Sequence, residues 1–498
     1  MRRDFQTRIT FTNHVSKNMF ALENKNVLVI GLGLSGVAAT ELLLSRGAEV
    51  VALDGADSKL LREEGMKLRN RGAHVELGAL KLPHGEFDLA VVSPGVPLDN
   101  ALLAEVRARN IPLIGELELG FQQSLALNIS ITGTNGKTTT TELVEHLLSH
   151  NGLKTVAAGN IGKPFCAVAD RTRSLDFITL EVSSFQLETI QVFRPTIAVL
   201  TNITPDHLDR YASMDEYARA KARIFENQQA FDWAIIQSEA LAQLKKLGAG
   251  IPSKVITFSA TEDTGDFYLE RGRIVGRMEN WSGPLLNLDD VQLPGAHNAE
   301  NIMAVLAIAR VLHLSLEGTL GAIRSYSPAP HRCELVAEID GVKFINDSKA
   351  TNVDAVAKAL LAMPHGQLSR EPNVWLLAGG RDKGFDYHDL GPLLSRRVKS
   401  AFVFGETGEK IRAAWGLFTP CAVVPTLLEA IAAAAKRAER GDVVLLSPAC
   451  SSFDQFRNYQ HRGEVFRRAV KRLEISGHQG PGGGSTKSRS APAEALML

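Results

Sequence analysis

Short apolar runs, each closed by glycine or a polar turn and followed by an amphipathic stretch of helical length, recur along most of the chain. From Lys25 to about Gly120 the order is NVLVI, GLGLSG, VAATELLLSRG and EVVALD. Runs this short, spaced by helix-length segments, predict parallel strands joined by helical crossovers, an α/β arrangement. A second such series opens near Leu127 with LNISIT and carries FITLEV and TIAVLTNI. Its middle, about 251 to 292, is polar and strand-like, and a helix (NIMAVLAIARVLHL) after His297 closes it. A third follows the Pro-rich SPAPH at 327–331, with VKFINDS, VWLLAGG, AFVFG and VVLLSPA alternating with helical stretches such as LLEAIAAAAKRAE. The pattern predicts three α/β modules in series, at 21–120, 121–327 and 328–475. The 1–20 extension lacks this periodicity, and 476–498, with GPGGGSTKSRSAPAEA, is too poor in apolar residues to pack, so both are expected to be disordered.

A length of 498 residues agrees with three domains at about 150 residues each. Lys plus Arg and Asp plus Glu both total 55, so the chain lacks the basic footprint of a nucleic-acid binder, and any anionic ligand must be gripped locally. No run reaches the ~18 apolar residues of a membrane span, which predicts no membrane insertion. Cys166, Cys333, Cys421 and Cys450 are scattered without a CxxC pair, which fits neither a disulfide framework nor a zinc site and points to a reducing cytoplasm.

Gly31, Gly33 and Gly36 form GxGxxG between a strand and a helix, and Asp54 ends the next strand. This spacing suits a dinucleotide, and equally any nucleotide diphosphate at a helix N-terminus. ISITGTNGKTTTTELVEHLL is a strand, a glycine loop and an amphipathic helix with Leu143, Val144, Leu147 and Leu148 inward. Backbone amides there would cradle phosphates, the Lys137 ammonium would meet the terminal ones and the Thr138 hydroxyl would hold Mg²⁺. The loop is two residues shorter than GxxxxGK[ST]. Glu181 ends FITLEVSSFQLE, and Asp206, His207 and Asp209 follow another strand, where hard oxygen and imidazole ligands suit Mg²⁺.

Ser213 and Glu216 predict a capping box opening the helix MDEYARAKARIFENQ. On its wheel Lys221 falls between Tyr217, Ile224 and Phe225, while Arg219, Arg223 and Glu226 share the other side. Such a lysine is either a snorkelling stem or a desolvated amine able to take up CO₂ as a carbamate. In the third module FINDSKATN (Asp347, Lys349, Thr351, Asn352), AGGRDKGFDY (Arg381, Asp382, Lys383) and LLSPACSSFDQFRNYQHRG (Ser451, Ser452, Phe453, Tyr459) each follow an apolar strand, which predicts one shared ligand mouth.

Taken in order, GLGLSG, SPG, GTNGKTTT, GNIG, EVSSFQLE, NITPDHLDRY, AKARIFEN, PGAHNAEN, PHRCE, NDSKATN and SPACSSFDQF resemble the Mur ligases of peptidoglycan synthesis, from about Lys25 to Leu473. The likeness is greatest to the branch that joins D-glutamate to UDP-N-acetylmuramoyl-L-alanine. The resemblance implies a Rossmann-like N-terminal domain, a central P-loop ATPase-like domain and a Rossmann-like C-terminal domain. It implies an ADP-forming, ATP-dependent ligase, working through an acyl-phosphate intermediate, that acts as a cytoplasmic monomer in cell wall biogenesis, cell shape and cell division. It places the UDP-substrate at Leu34, Ser35, Asp54, Ser93, Pro94 and Gly95, with Asn160 and His207 towards its muramoyl-alanine end. ATP falls to Gly133, Thr134, Asn135, Gly136, Lys137, Thr138 and Thr139, with His297, Asn298, Asn301, Arg332 and Asp347. It assigns Mg²⁺ to Thr138 and Glu181, and a second cation to His207 and carbamylated Lys221. D-glutamate falls to Thr351, Lys383, Ser452, Phe453 and Tyr459, and catalysis to Lys137, Asn160, His207, Lys221 and Lys349. Two departures stand out: Gly55 and Ala56 follow Asp54 where the family often has a polar residue, and Arg381 occupies an Asp-prone position.

Overall fold

The computed structural model describes residues 21–478 except 208–209, 294, 328–329 and 365–370. The 1–20 extension, Asp209, Pro294 of PGAHNAEN, part of SPAPH and the tail beyond 478 lie outside the described residues. The chain divides into two compact units, 1–202 with 217–267 and 302–323, and 203–216 with 268–301 and 324–498.

In the first unit, β1 (Asn26–Ile30), β2 (Glu49–Asp54), β3 (His74–Leu77), β4 (Leu89–Val92) and β5 (Leu113–Gly115) form a parallel sheet in the order β3-β2-β1-β4-β5. Alternate side chains of β1 go to opposite faces, as a strand dictates. Val27 and Val29 pack with Leu42 and Leu43 of the helix Leu34–Ser45, and Leu28 and Ile30 with Leu102, Leu103 and Val106 of the helix Ala101–Ala108. Covering both faces is why these strands are apolar throughout. Next come β6 (Leu127–Thr132), β7 (Ala157–Gly159), β8 (Phe177–Glu181), β9 (Ile197–Leu200), β10 (Trp233–Gln237) and β11 (Lys254–Ser259), ordered β11-β10-β9-β6-β8-β7. The β6 pairings with β8 and β9 are parallel, so the loops leaving all three strands emerge at one sheet edge.

The predicted strand-like middle is β11 with β12 (Phe267–Glu270), β13 (Arg273–Met278) and β14 (Trp281–Asn287). In the second unit β13 and β14 pair as an antiparallel hairpin. The third sheet holds β15 (Glu334–Ile339), β16 (Val342–Asn346), β17 (Val374–Gly379), β18 (Val398–Phe404), β19 (Cys421–Val423) and β20 (Val443–Leu446), ordered β15-β16-β20-β17-β18-β19. It is parallel except for β15 against β16. Its closing helix, Tyr459–His478, runs beyond the 475 boundary read from the Gly-rich composition.

Candidate active site

At the first Gly-rich turn the three glycines do different work. Gly31 has φ +89, and a Cβ there would meet Val96 Cγ2 at 2.6 Å; a Cβ on Gly36 would run into the Gly31 carbonyl. Gly33 has open space around its missing Cβ, so it is the one position of the three free to face a ligand. Asp54 accepts from Leu32 N at 2.7 Å and Ala56 N at 2.8 Å, which ties the turn to the end of β2. Leu34 is 78% exposed beside it, whereas Ser93 is buried.

The phosphate loop is clasped from β9. Asn135 N donates to Asn202 Oδ1 at 2.9 Å, and Asn135 O accepts from Thr201 Oγ1 at 2.6 Å and Asn202 Nδ2 at 3.0 Å. Gly133 at φ +146 lies against Thr201, and Gly136 at φ +84 caps the helix Lys137–His150, so both positions require glycine. Lys137 Nζ curls over the loop, donating to Gly133 O at 3.0 Å and Thr134 O at 2.8 Å. Thr138 and Thr139 are buried on the first helical turn.

Glu181 pairs with Ile131 across the β6–β8 ladder, which brings it to the same sheet edge. It is 2% exposed, and its Oε1 accepts from Asn160 Nδ2 at 2.7 Å. The Thr138 hydroxyl and Glu181 carboxylate are hard oxygen donors and fit Mg²⁺. Lys221 is 1% exposed, which rules out the snorkelling stem of the two alternatives; its Nζ donates to Gly133 O at 2.7 Å and sits 4.4 Å from the Tyr217 ring centroid. The α-helix here spans Met214–Ala222 and tightens to a 3₁₀ turn at Arg223–Phe225. Ser213 Oγ accepts from Glu216 N, but Glu216 Oε2 accepts from Ala212 N, one residue before the box predicts. Arg223, on the other side of the wheel, donates to Leu187 O, Glu188 O and Ile190 O.

In the second unit β16, β20 and β17 are parallel neighbours, so the three polar loops after them leave the same sheet edge. Arg381 N donates to Ser451 O at 2.9 Å, joining the loop of Lys383 to the turn of Ser452. Lys383 Nζ is 3.6 Å from Asp206 Oδ1, and Asp206 Oδ2 accepts from Asn352 Nδ2 at 3.1 Å. Asp206, read from sequence as a metal neighbour, therefore joins Lys383 and the residue after Thr351. His207 Nε2 is 3.7 Å from Asp206 Oδ2. Lys349 Nζ lies 4.1 Å from the Tyr459 ring centroid; Ser452 is buried and Phe453 is 62% exposed. Asp347 accepts from Cys333 N and Ser447 Oγ, yet burial pushes its carboxyl up to about 7 against those bonds and the nearby Arg332. His297 is held neutral, its pKa lowered to about 4 by burial, reinforced by Lys358 and opposed by Asp354. Asn301 Nδ2 donates to Asn298 Oδ1 at 3.1 Å. The loop residues Gly133–Thr139, Glu181 and Lys221 thus belong to the first unit, and His207, His297, Asn298, Asn301, Arg332 and Asp347 to the second.

Three domain families match the chain: a Mur ligase MurD-like N-terminal domain at 25–115, a Mur ligase middle domain at 131–309 and a Mur ligase glutamate ligase domain at 331–450. The chain is 43% identical over 457 residues to the UDP-N-acetylmuramoylalanine--D-glutamate ligase of Acidobacterium capsulatum, covering 90% of this chain and 96% of that one. The chain belongs to the Mur ligase family. A second Mur ligase, the UDP-N-acetylmuramoylalanine--D-glutamate ligase of Koribacter versatilis, is 41% identical over 460 residues, covering 91% of this chain and 98% of that one. Among solved Mur ligases, the UDP-N-acetylmuramate-alanine ligase of Thermotoga maritima superposes with a TM-score of 0.56 at 21% identity, over 91% of this chain and 100% of that one. MurF from Acinetobacter baumannii does so with 0.56 at 18%, over 89% and 93%. At these identities the two structures establish the three-domain fold.

Sequence reasoning left out two groups in this Mur ligase. Thr201 and Asn202 clasp the phosphate loop, and only their place at a strand end could have flagged them. Arg462 is fully buried: Nε donates to Ser348 Oγ at 3.0 Å, Nη2 to Ser348 O at 2.8 Å and Nη1 to Cys450 O at 3.1 Å. It stitches the β16 and β20 loops, and the signal available was an arginine inside an otherwise motif-like NYQHRG.

Proposed function

We propose that the chain is an ATP-dependent ligase that joins D-glutamate to UDP-N-acetylmuramoyl-L-alanine in peptidoglycan precursor synthesis. The observation that carries the choice of amino acid is the end-to-end similarity, 43% over nine-tenths of the chain, to a protein named for that reaction. The clasped phosphate loop supports the use of ATP, because a fixed glycine turn at a helix N-terminus can receive phosphates and the Lys137 ammonium, exchanging its loop carbonyls for phosphate oxygens, can stabilise charge on a transferring phosphoryl group.

The alanyl carboxylate is a poor acyl donor, since its leaving group would be oxide. Attack of a carboxylate oxygen on the ATP γ-phosphorus, with ADP leaving, converts it to an acyl-phosphate. Mg²⁺, held by Thr138 and Glu181 when bound, would supply Lewis-acid neutralisation of the phosphate oxygens. Asn160, anchored on Glu181, would orient the substrate's acyl end. Lys383 with Thr351 would take one D-glutamate carboxylate, and Ser452 with amides of its turn the other. The amine then attacks the acyl carbon, loses a proton and expels phosphate. Lys221, as a carbamate, is proposed to hold a second cation; the burial of its side chain against the phosphate loop supports that placement.

Phosphate release should require ATP, UDP-N-acetylmuramoyl-L-alanine and D-glutamate together. Equal release with L-alanine or L-glutamate in place of D-glutamate would overturn the assignment.

A further inference from the structure

Between the two sheets of the first unit lies the helix Glu116–Gln122, which directly follows β5. Together with Gly115, the last residue of β5, it is keyed into the central segment at four points. Glu118 is fully buried, and its Oε2 accepts from Gln191 N at 2.8 Å, Val192 N at 3.1 Å and Phe193 N at 2.9 Å, three consecutive backbone amides. Glu116 is 1% exposed, and its Oε1 accepts from Cys166 N at 2.7 Å. Gly120 faces Phe165, where a Cβ would come within 2.7 Å of the ring. Gly115 faces Thr189, where a Cβ would fall onto Oγ1 and lie 3.3 Å from the Thr189 Cβ.

These contacts fall on two segments that carry proposed site residues. Cys166 and Phe165 follow Asn160, and Thr189 to Phe193 follow Glu181 and its short helix Ser184–Leu187. The 187–193 turn is held from its other side by Arg223, which donates to Leu187 O at 2.8 Å, Glu188 O at 2.6 Å and Ile190 O at 3.0 Å. Asn227 Nδ2 adds bonds to Gln191 O and Phe193 O, both at 3.1 Å. Arg223 lies two residues after Lys221, whose Nζ bonds the phosphate-loop carbonyl of Gly133. Hydrogen bonds and close packing, with the backbone of Lys221–Arg223 as the covalent link, therefore run from β5, at the edge of the first sheet, through the 116–122 helix and the 187–193 turn to the phosphate loop. Fixed carboxylates and glycine-tight contacts transmit displacement because packed interiors do not deform continuously.

We propose that this helix couples occupancy of the UDP-substrate module to the phosphate loop, with Glu118 and Gly115 as positioning residues. The inference rests on the reading of the chain as a ligase of a UDP-linked substrate. In the wild-type enzyme, UDP-N-acetylmuramoyl-L-alanine should tighten the binding of ADP, measured by titration calorimetry, and ADP should tighten the UDP-substrate by the same factor.

Gly115→Ala drives a methyl into Thr189 and should bring that factor close to one, with each separate Kd within about threefold of wild type. Its backbone, at φ −91 and ψ 168, accepts alanine without strain. Thr189→Ala in the same chain removes the colliding hydroxyl and should restore the wild-type factor. Glu118→Gln keeps the shape but loses the charged acceptor, and should also weaken coupling. A merely structural role would lower stability or both affinities and leave their ratio unchanged. Wild-type coupling in Gly115→Ala and Glu118→Gln, or no restoration by Thr189→Ala, would overturn the proposal. A wild-type enzyme that binds each ligand without coupling would do the same. Failure to bind the UDP-substrate at all would instead overturn the ligase reading, and this inference with it.

Discussion

Glu116 makes stability depend on pH with a sign that follows from its burial. The carboxyl is 1% exposed, its Oε1 has the Cys166 amide, and its Oε2 has no hydrogen-bond partner. Burial pushes its pKa from 4.5 up to about 7, against the Cys166 bonds that favour the charged form. Between those two pH values the unfolded chain has released the proton and the folded chain retains it. Stability contributed by the neutral acid is therefore fully present below about pH 4.5, falls as pH rises, and is lost above about 7. At 1.36 kcal/mol per pH unit the loss is about 3 kcal/mol.

Glu116→Gln keeps the acceptor for Cys166 and cannot ionise. Its amide leaves new donors to satisfy, which sets a constant offset, so the slope and not the offset is diagnostic. Relative to wild type, the variant should gain about 3 kcal/mol between pH 4.5 and pH 8. For an unfolding unit of 150–250 residues that is roughly 6 to 12 °C in Tm. Differential scanning fluorimetry of both proteins across this range is the assay, and subtraction removes other groups that titrate in it, such as Asp347. Curves that stay parallel within about 1 kcal/mol would refute the reasoning, since Glu116 would then ionise in the folded protein as it does in the unfolded one.

Three further outcomes are expected. Lys221→Ala should abolish turnover and be partly rescued by short carboxylic acids, and failure of any such rescue would count against the carbamate. Arg462→Met should lose three hydrogen bonds to the Ser348 and Cys450 loops but also relieve a buried guanidinium whose pKa burial lowers to about 10. At about 1–3 kcal/mol per unsatisfied carbonyl against about 3 kcal/mol of relief, denaturation should show a net loss of at most about 3 kcal/mol, while KM for D-glutamate rises at least tenfold. Asp206→Asn removes the carboxylate that holds Lys383; steady-state kinetics should show KM for D-glutamate up about tenfold, equivalent to ~1.4 kcal/mol, with KM for ATP within about twofold.

The sheets were legible because strands covered on both faces must be apolar, and the glycine loops interrupt them at fixed places. Lys221 was legible because a charge on an apolar stripe violates the helical period. The wheel placed Arg223 on the side away from Lys221 but could not name its partners: periodicity reports which side a residue leaves from, and the long stem carries the guanidinium to carbonyls at 187, 188 and 190. The partners of Arg462 lie on loops far away in sequence, so no local pattern announces its burial. Asp206 was grouped with His207 by adjacency, and its contact with Lys383 appears only once the chain is folded.

The acyl-phosphate route to the D-glutamyl amide is tested most directly by labelling the alanyl carboxylate of UDP-N-acetylmuramoyl-L-alanine with ¹⁸O and turning it over with ATP and D-glutamate. One carboxylate oxygen must leave with the phosphoryl group when the amine attacks. Mass spectrometry should therefore find one ¹⁸O in each phosphate released and the other retained in the new amide. Phosphate free of label, with amide formed, would contradict the account.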